Sequence, residues 1–318
     1  MPNAHKILSL ALAPLLLSLM ILAQGCGVFS DLARDNQLHI GSLGLKDFIS
    51  PVKLRVGILD LRDEVGLGSP EAGSNLAVLL TERFSENGDL VLVTPAEVSA
   101  AARARGWNGE ELSPEMAMEL GRELDLNVIM EGAISQVEQQ AARRGWRRLI
   151  RFISDQQKYV DAVITLVAYD SATGLVISSR AGEGSYKVGQ SEVDPFASTP
   201  EPAISQEAIE QGLELAIDDT YYRTLDGLAY TPFKAMVVSQ DGKNATIRYG
   251  QNVGLPRGLE FVCLSARETL TSSINISYVV PGEAKARLVA RDVGPDQATL
   301  EIVEGSLDVG DFVQAWDR

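Results

Sequence analysis

Apolar residues recur with two periods along this chain, and the switches between them mark out its elements. Leu54, Val56, Ile58 and Leu59 open the regular part as a largely buried strand. After the loop RDEVGLGSPEAG, Leu76, Leu79, Leu80 and Phe84 fall on one face of a helix for which Ser74 is the expected N-cap. The strand LVLVT follows, and Pro95 opens the helical segment AEVSAAARARGW. The pair Ser113-Pro114 then predicts the start of a helix running to Leu124, with Glu115 and Glu119 on its early turns. LNVIMEGAIS, VDAVITLVAYD and, across the turn SATG, LVISSRAGEGSYKV read as strands, and a helix is expected from Ser205 to about Tyr221. Short apolar strands alternating with helices predict an α/β layer, a mixed sheet with packed helices.

Beyond a boundary expected near Ala229 to Pro232, the pattern becomes rich in Val, Gly and Thr. It also repeats: KAMVVSQDGKNATIRYGQNVGLPRGLEFV, from Lys234, is echoed by KARLVARDVGPDQATLEIVEGSLDVGDFV, from Lys285. Each half reads strand, turn, strand, turn, strand, so a small all-β barrel or sandwich is expected. The resulting division is 1–25 leader, 26–50 tether, 51–228 α/β domain and 229–318 β domain.

The leader carries Lys6 and then an apolar run from Ile7 to Ala23, broken by Pro14. A spanning helix wants about 20 apolar residues, so a cleaved signal peptide fits better than a permanent anchor. Leu22-Ala23-Gln24-Gly25-Cys26 resembles a bacterial lipobox, in which the cysteine is acylated and becomes the first residue of the mature protein. That resemblance makes Cys26 the expected lipidation site, and Gly27 after it points to the outer membrane. The alternative is an ordinary signal peptide that leaves Cys26 a free thiol. Cys263, the other cysteine, lies in the apolar stretch LEFVCL and reads as a small buried hydrophobe.

Charge narrows the partners. The whole chain carries 28 Lys and Arg against 43 Asp and Glu, a net charge of −15, and loss of the leader removes one lysine more. A surface that acidic repels phosphate backbones, so nucleic acid is not an expected partner. Against this background AARRGWRRLIRFIS stands out. Trp146, Leu149, Ile150 and Ile153 fall on one helical face, and Arg143, Arg144, Arg147, Arg148 and Arg151 fill most of the rest. Trp146, Arg147, Leu149, Ile150, Arg151 and Ile153 form the candidate face for an anionic membrane surface or an acidic partner. The alternative is a stripe packed on its own sheet or on a neighbouring subunit, with arginines that are solvated or paired within the chain.

Catalytic constellations are absent from the pattern. Asp60, Asp63 and Glu64 cluster after a strand, where catalytic carboxylates often sit, but only His39 follows the leader. That leaves no His-based triad, no zinc site and no expected cofactor, and loop-capping acids are the simpler reading. Gly66-Leu67-Gly68 lacks the Lys-Ser/Thr of a phosphate loop and reads as a turn, and Asn275-Ile276-Ser277 reads as part of a strand.

Several segments together resemble the CsgG family of outer-membrane lipoproteins: LNVIMEGAI (126–134), YVDAVITLVAYDSATGLVISS (159–179), Asp63-Glu64-Val65-Gly66 and EPAISQEAIEQG (201–212). The likeness covers roughly residues 52–220. The last ninety residues resemble instead the SH3-like domain of the flagellar FlgT family, through Asn252-Val253-Gly254, Pro256-Arg257-Gly258 and Asp308-Val309-Gly310-Asp311. These resemblances imply a non-enzymatic lipoprotein that self-associates and scaffolds an envelope secretion or flagellar structure from the periplasmic face of the outer membrane. The alternative they imply is an oligomeric export channel with two membrane hairpins per subunit, falling between Ile134 and Val163 and between Gly184 and Pro200. The second of these segments is short and polar, and the first carries five arginines, which cost about 2 to 4 kcal/mol each at a bilayer midplane, so the scaffold is the expected role.

Overall fold

The computed structural model describes residues 50–316 other than 68, 70, 108, 142–155, 192–203 and 272–276. Cys26 and the whole candidate face, Trp146, Arg147, Leu149, Ile150, Arg151 and Ile153, lie outside the described residues. The chain divides into two compact units. One takes residues 1–45, 141–158 and 189–199, of which only strand ends are described; the other takes 46–140, 159–188 and 200–318.

The second unit begins with an α/β layer. Its strands are β1 (Leu54–Ile58), the short β2 (Arg62–Asp63), β3 (Leu90–Val93), β4 (Val128–Ala141), β5 (Gln156–Asp170) and β6 (Val176–Ser191). Its helices are α1 (Ala72–Ser85), α2 (Pro95–Ala104), α3 (Pro114–Leu124) and α4 (Gln206–Leu228). The sheet order is β3-β1-β4-β5-β6, with β2 beside β4. β1 runs parallel to both β3 and β4, which is what helical crossovers produce.

Each face of the sheet has its own apolar layer. Leu54, Val56 and Ile58 of β1 meet Leu76, Leu80 and Phe84 of α1 and Leu213, Ile217 and Tyr221 of α4 on one side. Phe84 and Tyr221 pack edge to face, with ring centres 5.0 Å apart. On the other side Ile129 of β4 meets Val98 and Ala102 of α2 and Ala117 and Leu120 of α3. Caps fix two of these helices in place. Thr94 accepts a hydrogen bond from the Glu97 amide at 3.4 Å, and Ser113 accepts one from the Met116 amide at 3.2 Å, each with Pro at the first helical position.

Three expectations are corrected here. α1 starts at Ala72 with Glu71 at its N-cap and no side-chain cap, so Ser74 lies inside the helix. α4 continues past Tyr221 to Leu228, because Leu225 and Leu228 extend its buried stripe. The strands flanking the first long insertion reach further into it than the apolar pattern suggested, with β4 ending at Ala141 and β5 starting at Gln156.

The C-terminal β region is a closed barrel of six antiparallel strands: β7 (Lys234–Asp241), β8 (Asn244–Ile247), β9 (Glu260–Thr271), β10 (Ser277–Val293), β11 (Ala298–Gly305) and β12 (Phe312–Ala315). The ring runs β10-β11-β8-β7-β12-β9. The sequence echo maps β7-β8-β9 onto β10-β11-β12, and exchanging the two halves leaves every neighbour in that ring unchanged. The barrel is therefore an approximate twofold assembly of one three-strand motif. Bulges in β7 and β10 supply the local twist that a small barrel needs to close. Phe233, Phe261, Leu288, Leu300 and Val313 fill its interior and belong to the same continuous core as the α1–α4 face of the sheet.

Candidate functional site

The loop after β1 holds the acids that a catalytic reading would use, and the structure engages each of them. The Asp63 carboxylate accepts hydrogen bonds from the amides of Val65, Gly66 and Leu67 at 3.2, 2.8 and 2.7 Å, closing its own loop. Asp60 donates its amide to the Ser99 hydroxyl of α2 at 3.1 Å and pairs with Arg103 at 3.5 Å. Glu64 pairs with Arg62 at 3.2 Å. Two atoms here are buried without a hydrogen-bond partner, Asp60 Oδ1 and Arg62 Nε.

Beneath that loop lies an acid that the periodicity hid. Glu131 sits in the fully buried run of β4 and is only 4% exposed. It accepts hydrogen bonds from the Leu112 amide at 2.7 Å and from the Tyr169 hydroxyl at 3.1 Å, while Arg62 Nε stands 4.0 Å away. Burial pushes its carboxyl above the ordinary carboxylate value, against the Leu112 N–H, Arg62 and Tyr169, which favour the charged form. The sequence signal was a single acid in an otherwise apolar strand, LNVIMEGAI. Its bonds tie the α2–α3 connection to β4 and β5.

A second polar cluster joins the sheet to the barrel. Asn127 accepts the Arg55 amide on Oδ1 at 2.8 Å and donates Nδ2 to the Lys234 carbonyl at 2.5 Å. Lys234, the first residue of β7, forms an ion pair with Asp170 at the end of β5, their side chains 14% and 10% exposed. The Tyr249 hydroxyl donates to the Asp125 carbonyl at 2.6 Å, and burial raises its phenol pKa. Inside the barrel, burial first and then the Asp311 carboxylate push the Cys263 thiol up to about 11, so it stays protonated and inert as the sequence led one to expect of a buried hydrophobe.

Among the described residues no group of three or more His, Cys, Asp and Glu is placed to hold a metal, and no helix is long and apolar enough to cross a membrane. Strands can cross a membrane without such a helix. Among the described residues the sheet is accessible along its edge. β4 pairs with β1 and β2 only as far as Ile134, and from Ser135 on its described side chains are exposed or half-buried. β6 is the last strand in the sheet order over 16 residues, with Arg180, Glu183 and Lys187 exposed along it.

No family model matches the chain, and no curated protein does. Among solved structures, a hypothetical protein from Chlamydia trachomatis is 12% identical, with 55% of this chain and 98% of that one covered at a TM-score of 0.38. A lipoprotein from Neisseria meningitidis is 9% identical over 42% of this chain and 84% of its own, at a TM-score of 0.33. A PelC dodecamer from Paraburkholderia phytofirmans is 16% identical over 56% and 88%, at 0.29. Likenesses at this level establish no common fold, and the CsgG-family resemblance rests on its motifs alone.

Proposed function

We propose that this chain is a non-enzymatic lipoprotein, held on the periplasmic face of the outer membrane by acyl chains on Cys26, that scaffolds an envelope secretion or flagellar structure by associating with copies of itself and with that machinery. The observation that carries the reading is how the polar side chains are used. Asp63 and Glu131 hold loops, Asp170 and Lys234 hold the barrel to the sheet, and among the described residues the sheet offers a long edge to a partner. An open edge presents backbone donors and acceptors to another chain. The acidic surface turns nucleic acid away, and the CsgG-like motifs and the FlgT-like, SH3-like reading of the barrel point the same way. Electron microscopy and sedimentation of the detergent-extracted protein test this. The scaffold predicts soluble discs or small oligomers without a membrane-crossing wall; an active-site titration with a covalent hydrolase probe labelling the native protein would argue against it.

A second reading, an outer-membrane export channel of the curli type, is favoured by one observation: β4 and β5 run as strands to both borders of the first insertion. Open rings with a transmembrane barrel in the same micrographs would establish it over the scaffold.

A further inference from the structure

Between the amino end of β1 and the loops of the barrel lies a cleft of about 460 Å³, lined by Arg55, Asp125, Arg248, Asn252, Asp296 and Gln297, with Pro295 at its rim. Its volume falls within the range of small-ligand sites, about 300 to 1,000 Å³, which favour such junctions. Its walls are fixed by main-chain bonds. The Gln251 and Asn252 amides donate to the carbonyls of Gly294 and Pro295 at 2.9 and 3.0 Å, and the Tyr249 hydroxyl ties the barrel wall to Asp125. At Gly250 a Cβ would lie 2.2 Å from the Gly294 carbonyl oxygen, so the two turns can meet this closely only through glycine.

The lining is polar and its charges oppose one another. Arg55 lines the cleft with its Nε buried inside the protein. Arg248 reaches Asp125 at 3.6 Å, longer than the roughly 2.7 to 2.9 Å of a close charge-assisted bond, and its side chain is 56% exposed. The Arg248 guanidinium is therefore open to a further acceptor, and Arg55 lines the same cleft. A dianion such as phosphate would also face Asp125 and Asp296, and a simple cation would face both arginines. A ligand with one carboxylate and one ammonium meets each charge with its opposite, and the amides of Asn252 and Gln297 suit its peptide or hydroxyl groups.

We infer that this cleft binds an α-amino acid or the end of a short peptide, with the ligand carboxylate held between Arg55 and Arg248 and its ammonium directed toward Asp296. The site is independent of the lipid anchor and of self-association. It adds a small-molecule or peptide input to a body otherwise built for assembly.

Isothermal titration of the full mature protein with dialanine, dialanine amide, N-acetyl-dialanine, free alanine and inorganic phosphate tests it. Dialanine or alanine is expected to saturate one site per chain. Blocking the carboxylate as the amide should weaken binding by about tenfold, as loss of a charge-assisted bond does. Acetylating the amine should weaken it as well. Tighter binding of dialanine assigns a peptide end, and tighter binding of alanine a free amino acid. Arg248→Gln should lower affinity by about tenfold with an unchanged melting temperature, since this side chain is exposed. Arg55→Gln repeats the test at the buried end. Phosphate binding as tightly as dialanine, equal binding of the amide, full affinity in Arg248→Gln, or no heat from any probe at millimolar concentration would each overturn the inference.

Discussion

The barrel and the α/β sheet solve the problem of strand edges in opposite ways. In the barrel every strand has a neighbour on each side and the repeated motif closes on itself, with only the far part of the β9–β10 hairpin, beyond Cys263 and before Ala286, paired on one side alone. The sheet is open. It ends on one side in the four-residue β3, short enough to offer little, and on the other in the 16-residue β6. The difference offers strand-mediated association a 16-residue edge on the sheet, while the barrel ring itself is a closed wall that the sheet carries with it. The two are joined rigidly, because a single apolar core and the Asn127, Asp170 and Lys234 cluster run from one into the other.

The largest test breaks that junction. Lys234→Met leaves the Asp170 carboxylate buried and unpaired, and should cost about 3 to 5 kcal/mol in a urea melt. Because sheet and barrel share a core, tryptophan fluorescence and far-UV circular dichroism should still shift together. Next in size is the packing that holds α4 on the edge strand. A Cβ at Gly184 would lie 2.0 Å from the Gly212 carbonyl oxygen, so Gly184→Val should push β6 off α4 and cost about 3 kcal/mol, at the upper end of ordinary overpacking. The barrel should keep its hydrogen-exchange protection in that variant longer than β6 does. Removing the α3 cap with Ser113→Ala should cost about 1 kcal/mol, with hydrogen exchange rising first in α3.

The smallest effect is a pH slope. The carboxyl groups of Glu131 and Asp125 both titrate above their ordinary values because burial penalises the charge. A raised folded-state value means that the native state holds the proton more tightly than the unfolded chain. Their contribution to stability is thus fullest at low pH and is lost as pH rises from the ordinary carboxylate range through the raised values. Glu131→Gln should flatten that fall relative to the parent protein in melts between about pH 4.5 and 7.5. An equal slope in both would remove Glu131 as its source.

Period and punctuation made much of this fold legible. The alternation of strands and helices, the Ser113-Pro114 start of α3 and the tandem echo of the barrel were all visible, because local propensity and burial agree there. The start of α1 was not: the stretch GSPEAGS offers several capping residues, and a tertiary bond, from the Leu61 amide to the Gly73 carbonyl at 3.1 Å, helps fix the helix start. The extra length of β4 escaped notice because QVEQQ is polar on both faces. Ring order could not be read from strands that pair across long separations. The polar clusters were hidden for the same reason: Asn127 meets Lys234 across 107 positions and Asp170 meets it across 64, and each is one polar residue beside an apolar run. Asp60, Asp63 and Glu64 were visible as a group, while Arg55 and Arg248 come together only in the folded chain.

Attachment to lipid at the mature amino end is the property on which the proposed role depends. Intact-mass and peptide mass spectrometry of the protein extracted from membranes measures it directly. It predicts a chain that begins at Cys26 and carries acyl mass on that residue, with Cys26→Ser released from the membrane fraction. A mature amino terminus that carries no lipid, or one lying elsewhere in the chain, would contradict it.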